Sequence, residues 1–337
     1  MPKKSESNQI ETGVNYKYLA IKSFFSRLLQ YKRLIPKRSQ FDYTLLPFLS
    51  IETTNACLSK CVFCAYQYMQ RPRQHLDMNI FKKAVDEYAR MGGVELLLNT
   101  VLGEPTCDPY LLERIAYVKK YPELKTFGFV TNLQNLHNLD ITELVNSTVT
   151  WLGISIVLSG KMKYYEFFGV DLYDQVLKNL NSLLTENQKY GDKINITIDV
   201  KPTNEARKNI INHPDFKFIN QLVKQDLVAA VENMHYFVDD WCGVVKLPAY
   251  LKRRPLYQRS FLPCRLLSNS VAVFSNGNVG ICSCRDYNAD SELILGNLKE
   301  ISLTELLKSE KRFKFFSNWL ENNRIPEICR RCTHYIV

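Results

Sequence analysis

Between Phe48 and Val238 the chain alternates strand-like with helix-like segments, and this alternation constrains its fold more than any other feature. Phe48–Thr54 reads as a strand and Ile80–Arg90 as a helix that stops at Gly92-Gly93. Val94–Asn99 is the next strand. The following helix, Pro109–Lys120, has proline in its first turn, where the missing N–H would have had no intrahelical acceptor. Strands over Thr126–Thr131, Thr150–Leu158, Ile194–Lys201 and Met234–Val238 follow, separated by helical stretches such as Tyr173–Tyr190 and Ile219–Leu227. Six strands with helices between them imply an α/β fold: a partial (β/α)6, TIM-like barrel over residues 46–240, its parallel sheet curled with helices outside.

Past residue 240 the texture changes. Val271–Phe274, the turn Asn276-Gly277-Asn278 and Val279–Cys282 make a hairpin signal. A helix from Leu303 to Asn322 follows, and then Cys329-Arg330-Arg331-Cys332. Residues 241–337 are therefore expected to form a small α+β domain organised by cysteines.

The chain has 10 cysteines and 46% hydrophobic residues. That apolar content suffices for a sizeable core, which excludes wholesale disorder. No apolar run approaches the roughly 18 residues of a spanning helix. Met1–Gly13 is polar and lacks the apolar stretch of a secretory signal, so a cytoplasmic location is expected. In that setting ten cysteines point to metal binding or redox chemistry rather than disulfides.

Charge is uneven. Of the net +10, +7 falls in the first 40 residues, from nine basic side chains against Glu6 and Glu11. The remaining body is near neutral and shows no basic stripe or aromatic platform, so no nucleic-acid partner is expected. Val14–Ile35 reads as an amphipathic helix within a basic extension over residues 1–45. It suits packing against the barrel, contact with an anionic membrane surface, or a protein partner.

Two cysteine groups carry the chemistry. The first is Cys57-Leu-Ser-Lys-Cys61-Val-Phe-Cys64, immediately after the first strand, where open α/β folds place their reactive groups. Three thiolates on one tight loop can hold three irons of a 4Fe–4S cube and leave the fourth iron open. A zinc site would need a fourth ligand, and the nearest histidine in sequence is His75. The second group is Cys264, Cys282, Cys329 and Cys332, with Cys284 close enough to Cys282 to replace it. Four thiolates suit either a saturated cube or a zinc ribbon.

The C-x3-C-x2-C spacing, with Phe63 before its last cysteine, resembles the radical S-adenosylmethionine superfamily over roughly residues 45–337. The resemblance implies that the open iron chelates S-adenosylmethionine. An electron from the reduced cluster then cleaves it to methionine and a 5′-deoxyadenosyl radical, which abstracts hydrogen from substrate. It further implies cofactor contacts from Phe63, from Gly103-Glu104-Pro105 (with Leu102 replacing the first glycine of the family's element), from Thr131 and Asn132, and from Ser155. Cys264-x12-Gly277-x4-Cys282 followed by a C-x2-C resembles the SPASM auxiliary domain in its shortened "twitch" form. That implies a single auxiliary 4Fe–4S cluster, two clusters in all. Iron–sulfur is thereby favoured over zinc.

Cys107 and Cys242 lie outside both groups, at expected strand C-termini. A buried cysteine often serves only as a small hydrophobe. A thiol facing substrate can instead return a hydrogen atom to a carbon radical, and Cys242 is the preferred donor. The twitch form resembles enzymes that oxidise or epimerise hydroxyl-bearing carbons of aminocyclitols and aminoglycosides. A small polar substrate of the sugar, cyclitol or aminoglycoside class is expected, with a flavodoxin or ferredoxin as electron donor. Asp199, Lys201, Asp239 and Asp240 are candidate proton acceptors for an oxidation. The alternatives are a SPASM-type maturase acting on a ribosomal peptide and a non-catalytic cluster protein. The element Gly103-Glu104-Pro105 speaks against the second, which needs no cofactor pocket.

Overall fold

The computed structural model describes residues 48–99, 101–256 and 263–335, so the expected amphipathic helix over Val14–Ile35 lies outside the described residues. Strands β1 (Phe48–Ile51), β2 (Glu95–Leu97), β3 (Thr126–Thr131), β4 (Trp151–Ile156) and β5 (Asn195–Val200) lie side by side, each parallel to the next. Helices α1 (Met78–Arg90), α2 (Leu111–Val118), α3 (Ile141–Val145), α4 (Lys161–Phe168) and α5 (Tyr173–Lys189) lie in the connections. The first shows why these segments are helical. Asp77 accepts the N–H groups of Asn79 and Ile80 at 2.8 and 3.2 Å, capping α1. Phe81, Ala84, Val85 and Tyr88 then recur at helical spacing and are all fully buried. They join Leu49, Ile51, Leu96, Phe127, Phe129, Leu152 and Ile154 in one core.

After β5 come α6 (Arg207–Asn212), α7 (Pro214–Leu222) and α8 (Leu227–Glu232). The helix expected over Ile219–Leu227 is interrupted: Val223 is extended, and Asp226 starts α8 by accepting the Ala229 N–H at 2.9 Å. The sixth strand also differs from expectation. Only Phe237–Val238 (β6) is extended, and it pairs in parallel with Lys252–Arg253 (β7) outside the main sheet. Phe237 is 44% exposed, so this segment lacks the two buried faces of a central parallel strand.

The C-terminal part continues the barrel sheet. After α9 (Arg265–Asn269), strand β8 (Ser270–Val273) pairs in parallel with β1, from Phe48 opposite Ser270 to Ile51 opposite Val273. Strands β9 (Asn278–Gly280) and β10 (Ile294–Asn297) add antiparallel beyond it, giving the order β10-β9-β8-β1-β2-β3-β4-β5. The expected hairpin is present, and β10 is an addition to it. A buried ion pair locks the junction: Arg71 grips the fully buried carboxylate of Glu52, which also accepts the Ser275 N–H at 3.1 Å and hydroxyl at 2.6 Å. The helix expected over Leu303–Asn322 is two, α10 (Leu303–Lys308) and α11 (Glu310–Asn322). Ser309 between them is extended and caps α11 through the Arg312 N–H. The short α12 (Glu327–Arg331) follows. Among the described residues no helix is long and apolar enough to cross a membrane.

Candidate functional site

The first cysteine loop leaves the C-terminal edge of β1 and is stitched down at several points. Lys60 and Val62 donate backbone N–H groups to Phe168 and Phe167 of α4, at 2.8 and 3.0 Å. Cys57 N–H donates to the Tyr66 hydroxyl at 3.0 Å. Gly103 passes directly beneath: its φ is +92°, and a Cβ there would sit 2.1 Å from the Thr54 carbonyl oxygen. Only glycine permits that approach. Glu104 N–H then donates to the Ala56 carbonyl at 2.8 Å.

Burial pushes the Cys57 thiol up to about 12 and Cys64 to about 11, and lifts Cys61 well above its ordinary value. Cys61 is raised further by charge on Cys64 and Cys57, so the three thiols stand within electrostatic reach of one another. Such a set is poorly suited to bare thiolates and well suited to ligating iron, whose positive charge deprotonates them. Among the described residues no three His, Cys, Asp or Glu side chains converge on a single metal ion. A cube asks each thiolate to meet a different iron, so its donors need not share one point.

Glu104 is 3% exposed, and its carboxylate faces the end of β3. It accepts the Thr131 hydroxyl at 2.5 Å, the Asn132 N–H at 2.8 Å, and the Thr106 hydroxyl and N–H at 2.9 and 3.2 Å. Burial still raises its pKa. Asn132 turns its amide toward Ser59 Oγ, at 3.2 Å, and the Cys57 sulfur, at 3.8 Å. Glu104, Thr131 and Asn132 are thus brought together behind Cys57. Pro105 is buried at the start of the turn Pro105–Cys107. Ser155 lies one strand over, half-buried on β4 opposite Asp199 of β5. Cys107 stands beside Cys57: burial and then Glu104 push its thiol up to about 12, and its charge is felt at Cys57.

The Phe63 ring rests on Phe167, 4.9 Å between centroids, with the Lys201 ammonium 5.9 Å from its centre. Both rings line a cavity of about 440 Å³ at the C-terminal end of β5, whose polar wall includes Asp199, Lys201, Gln225, Asn233, His235 and Arg254. Lys201 and Asp199 form an ion pair.

The second group is assembled from separated segments. Cys264 precedes α9, Cys282 and Cys284 follow β9, Cys329 lies in α12 and Cys332 at its end. Burial lifts Cys282 far up, and charge on Cys284, Cys329 and Cys264 adds to the rise. Cys284 is pushed to about 12 and senses Cys332 and Cys264, so Cys282 and Cys284 both face this group. Cys242 joins it too: its thiol is 5% exposed and donates to the Cys332 sulfur. That bond, and then the charge of Arg285, pull the Cys332 thiol below its ordinary value against the effect of burial. The thiol expected to face substrate thus stands against an expected cluster ligand.

Asp239 is buried and accepts the Trp241 N–H at 2.7 Å and the Thr333 hydroxyl at 2.6 Å, besides pairing with Arg285 at 2.6 Å. Asp240 pairs with Arg253. Both carboxylates are engaged in the fold, whereas Asp199 and Lys201 border the cavity. Arg285, Trp241 and Ser59 carry no sequence signal beyond nearness to a cysteine.

Residues 51–212 match the model of the radical SAM superfamily, and residues 264–333 match SPASM, an iron-sulfur cluster-binding domain. A curated relative is the tungsten-containing aldehyde ferredoxin oxidoreductase cofactor-modifying protein of Pyrococcus furiosus. It is 22% identical over 316 residues, 86% of this chain and 87% of its own. Among solved structures, BtrN in complex with AdoMet and 2-DOIA superposes with a TM-score of 0.55 at 14% identity, over 85% of this chain and 92% of its own. SuiB of Streptococcus suis bound to its precursor peptide SuiA gives 0.54 at 15% identity, over 91% and 73%. AnSMEcpe with bound AdoMet gives 0.53 at 14%, over 85% and 88%. At these identities the likeness is one of fold.

Proposed function

We propose that this chain, a radical SAM protein with a SPASM domain, abstracts hydrogen from a small polar substrate and oxidises or epimerises its hydroxyl-bearing carbon. Its domains imply 4Fe–4S clusters and S-adenosylmethionine, which together supply a 5′-deoxyadenosyl radical when bound. Cys57, Cys61 and Cys64 would hold the first cluster. Cys264, Cys329, Cys332 and either Cys282 or Cys284 would hold the auxiliary one. Gly103-Glu104-Pro105, Thr131, Asn132, Ser155 and Phe63 would seat the cofactor beside the first loop.

The observation that carries the substrate class is the cavity of about 440 Å³ beside Phe63, with its mixed wall of aromatic and hydrogen-bonding side chains. That volume fits one small molecule. Asp199 and Lys201 stand where they can orient a hydroxyl group and exchange its proton.

The test is anaerobic reconstitution followed by turnover with S-adenosylmethionine, dithionite and either polyols or peptides. Formation of 5′-deoxyadenosine should rise with a sugar, cyclitol or aminoglycoside. In deuterium oxide, label at the product carbon would mark epimerisation, and a carbonyl product would mark oxidation. Stimulation by peptides alone would overturn the proposal in favour of a maturase.

A further inference from the structure

A single turn, Asp239–Val245, runs between the two cysteine groups. Trp241, Cys242 and Gly243 have φ of 54°, 62° and 88°, a left-handed run unusual for so bulky a residue as tryptophan. Four internal bonds hold it: Trp241 N–H to the Asp239 carboxylate at 2.7 Å, Gly243 and Val245 N–H to the Asp240 carbonyl at 3.2 and 3.0 Å, and Val244 N–H to the Trp241 carbonyl at 3.3 Å.

The turn reaches both ways. Trp241 Nε1 donates to the Phe63 carbonyl at 2.8 Å, one residue before Cys64, while the adjacent Cys242 is buried against Cys332. Arg285 lies over the Trp241 ring at 4.7 Å and pairs with Asp239 at 2.6 Å, its side chain only 15% exposed. On one side it follows Cys284 directly and donates to the Cys284 carbonyl at 2.6 Å; on the other the Trp241 ring beneath it reaches the Phe63 carbonyl, next to Cys64. One largely enclosed cation thus stands between two sets of thiols.

We propose that Arg285 is a positioning residue whose charge sets the reduction potentials of both iron–sulfur sites, with Asp239 opposing it and the Trp241 turn holding it between them. This rests on a cluster being held by each cysteine group. Reduction adds one electron, and so one negative charge, to a centre already ligated by thiolates. A nearby cation in a poorly solvated setting stabilises the reduced form.

The experiment is an EPR-monitored dithionite titration of the anaerobically reconstituted full chain, with iron measured on every sample. Arg285→Gln should disfavour reduction of the auxiliary site at least tenfold, about 59 mV downward for one electron, and lower the first site in the same sense. Asp239→Asn keeps an acceptor for Trp241 and Thr333 but removes the opposing charge, so both potentials should rise. Arg285→Lys should lie between wild type and Arg285→Gln. Unmoved potentials in Arg285→Gln at full iron content would overturn the inference. Were that variant to lose auxiliary iron, the first site is still read, and an unmoved potential there overturns the shared-cation role. A wild-type protein holding only one cluster's iron is a separate result, which removes the premise of two clusters and the inference with it.

Discussion

The two cysteine groups solve the same problem in opposite ways. The first is contiguous: Cys57, Cys61 and Cys64 share eight residues, and the fold needs only to press that loop onto α4 and the Gly103 turn. The second draws on Cys264, Cys282, Cys284 and Cys329–Cys332, and Cys242 comes in from the barrel side. Their electrostatics differ accordingly. In the first group burial dominates, and every thiol is raised. In the second, burial likewise raises Cys282 and Cys284, while the Cys242 thiol and then Arg285 pull Cys332 below its ordinary value. A contiguous loop tolerates unfavourable burial because iron relieves it. The dispersed group has the Arg285 guanidinium directly after Cys284, and the same charge is felt at Cys64 of the first.

The hardest break is Cys57→Ala, which should abolish S-adenosylmethionine cleavage while leaving the second cluster's iron, seen as loss of 5′-deoxyadenosine with about half the iron retained. Cleavage at the normal rate would remove the first loop from the chemistry. Cys332→Ala is its mirror image: about half the iron should go, while uncoupled cleavage continues.

Thiol reactivity separates the groups without iron. In the metal-free protein, iodoacetamide mapped by mass spectrometry should modify Cys332 ahead of Cys57 and Cys64, because only the thiolate attacks and the Cys332 thiol is lowered where theirs are raised. Cys57, held near 12, and Cys64, held near 11, should lag at pH 8. Equal rates would erase the contrast.

Two smaller changes probe what supports the first loop. Gly103→Ala places a methyl 2.1 Å from the Thr54 carbonyl oxygen at a φ of +92°. It should cost about 1–3 kcal/mol, read as a drop in Tm. Asn132→Ala removes the amide contact with the Cys57 sulfur and should weaken iron retention about tenfold, measured by chelator challenge. Neither variant should disturb the auxiliary cluster's potential.

The fold was legible where pattern is local. Asp77, then Phe81, Ala84, Val85 and Tyr88, specify a capped amphipathic helix within a dozen residues, and β3 appeared at Thr126–Thr131 with its expected boundaries. Where tertiary burial decides, the reading went astray. Met234–Val238 has enough β propensity for a strand, yet Phe237 faces solvent and the segment leaves the main sheet. The break at Ser309 turns on a capping hydroxyl amid helix-forming residues.

The amino-acid sequence by itself determined the alternating α/β architecture, the first cysteine loop and the glycine beneath it, because helix periodicity and metal-ligand spacing act over a few residues. Only the tertiary structure decided that β8 lies against β1, which joins the segment carrying the second cysteine group to the strand that precedes the first, across more than two hundred residues of chain. Only it decided that Cys242 meets Cys332 and that Arg285 stands between the groups. Such contacts depend on how buried surfaces pair across the sheet, and no short-range spacing encodes that pairing.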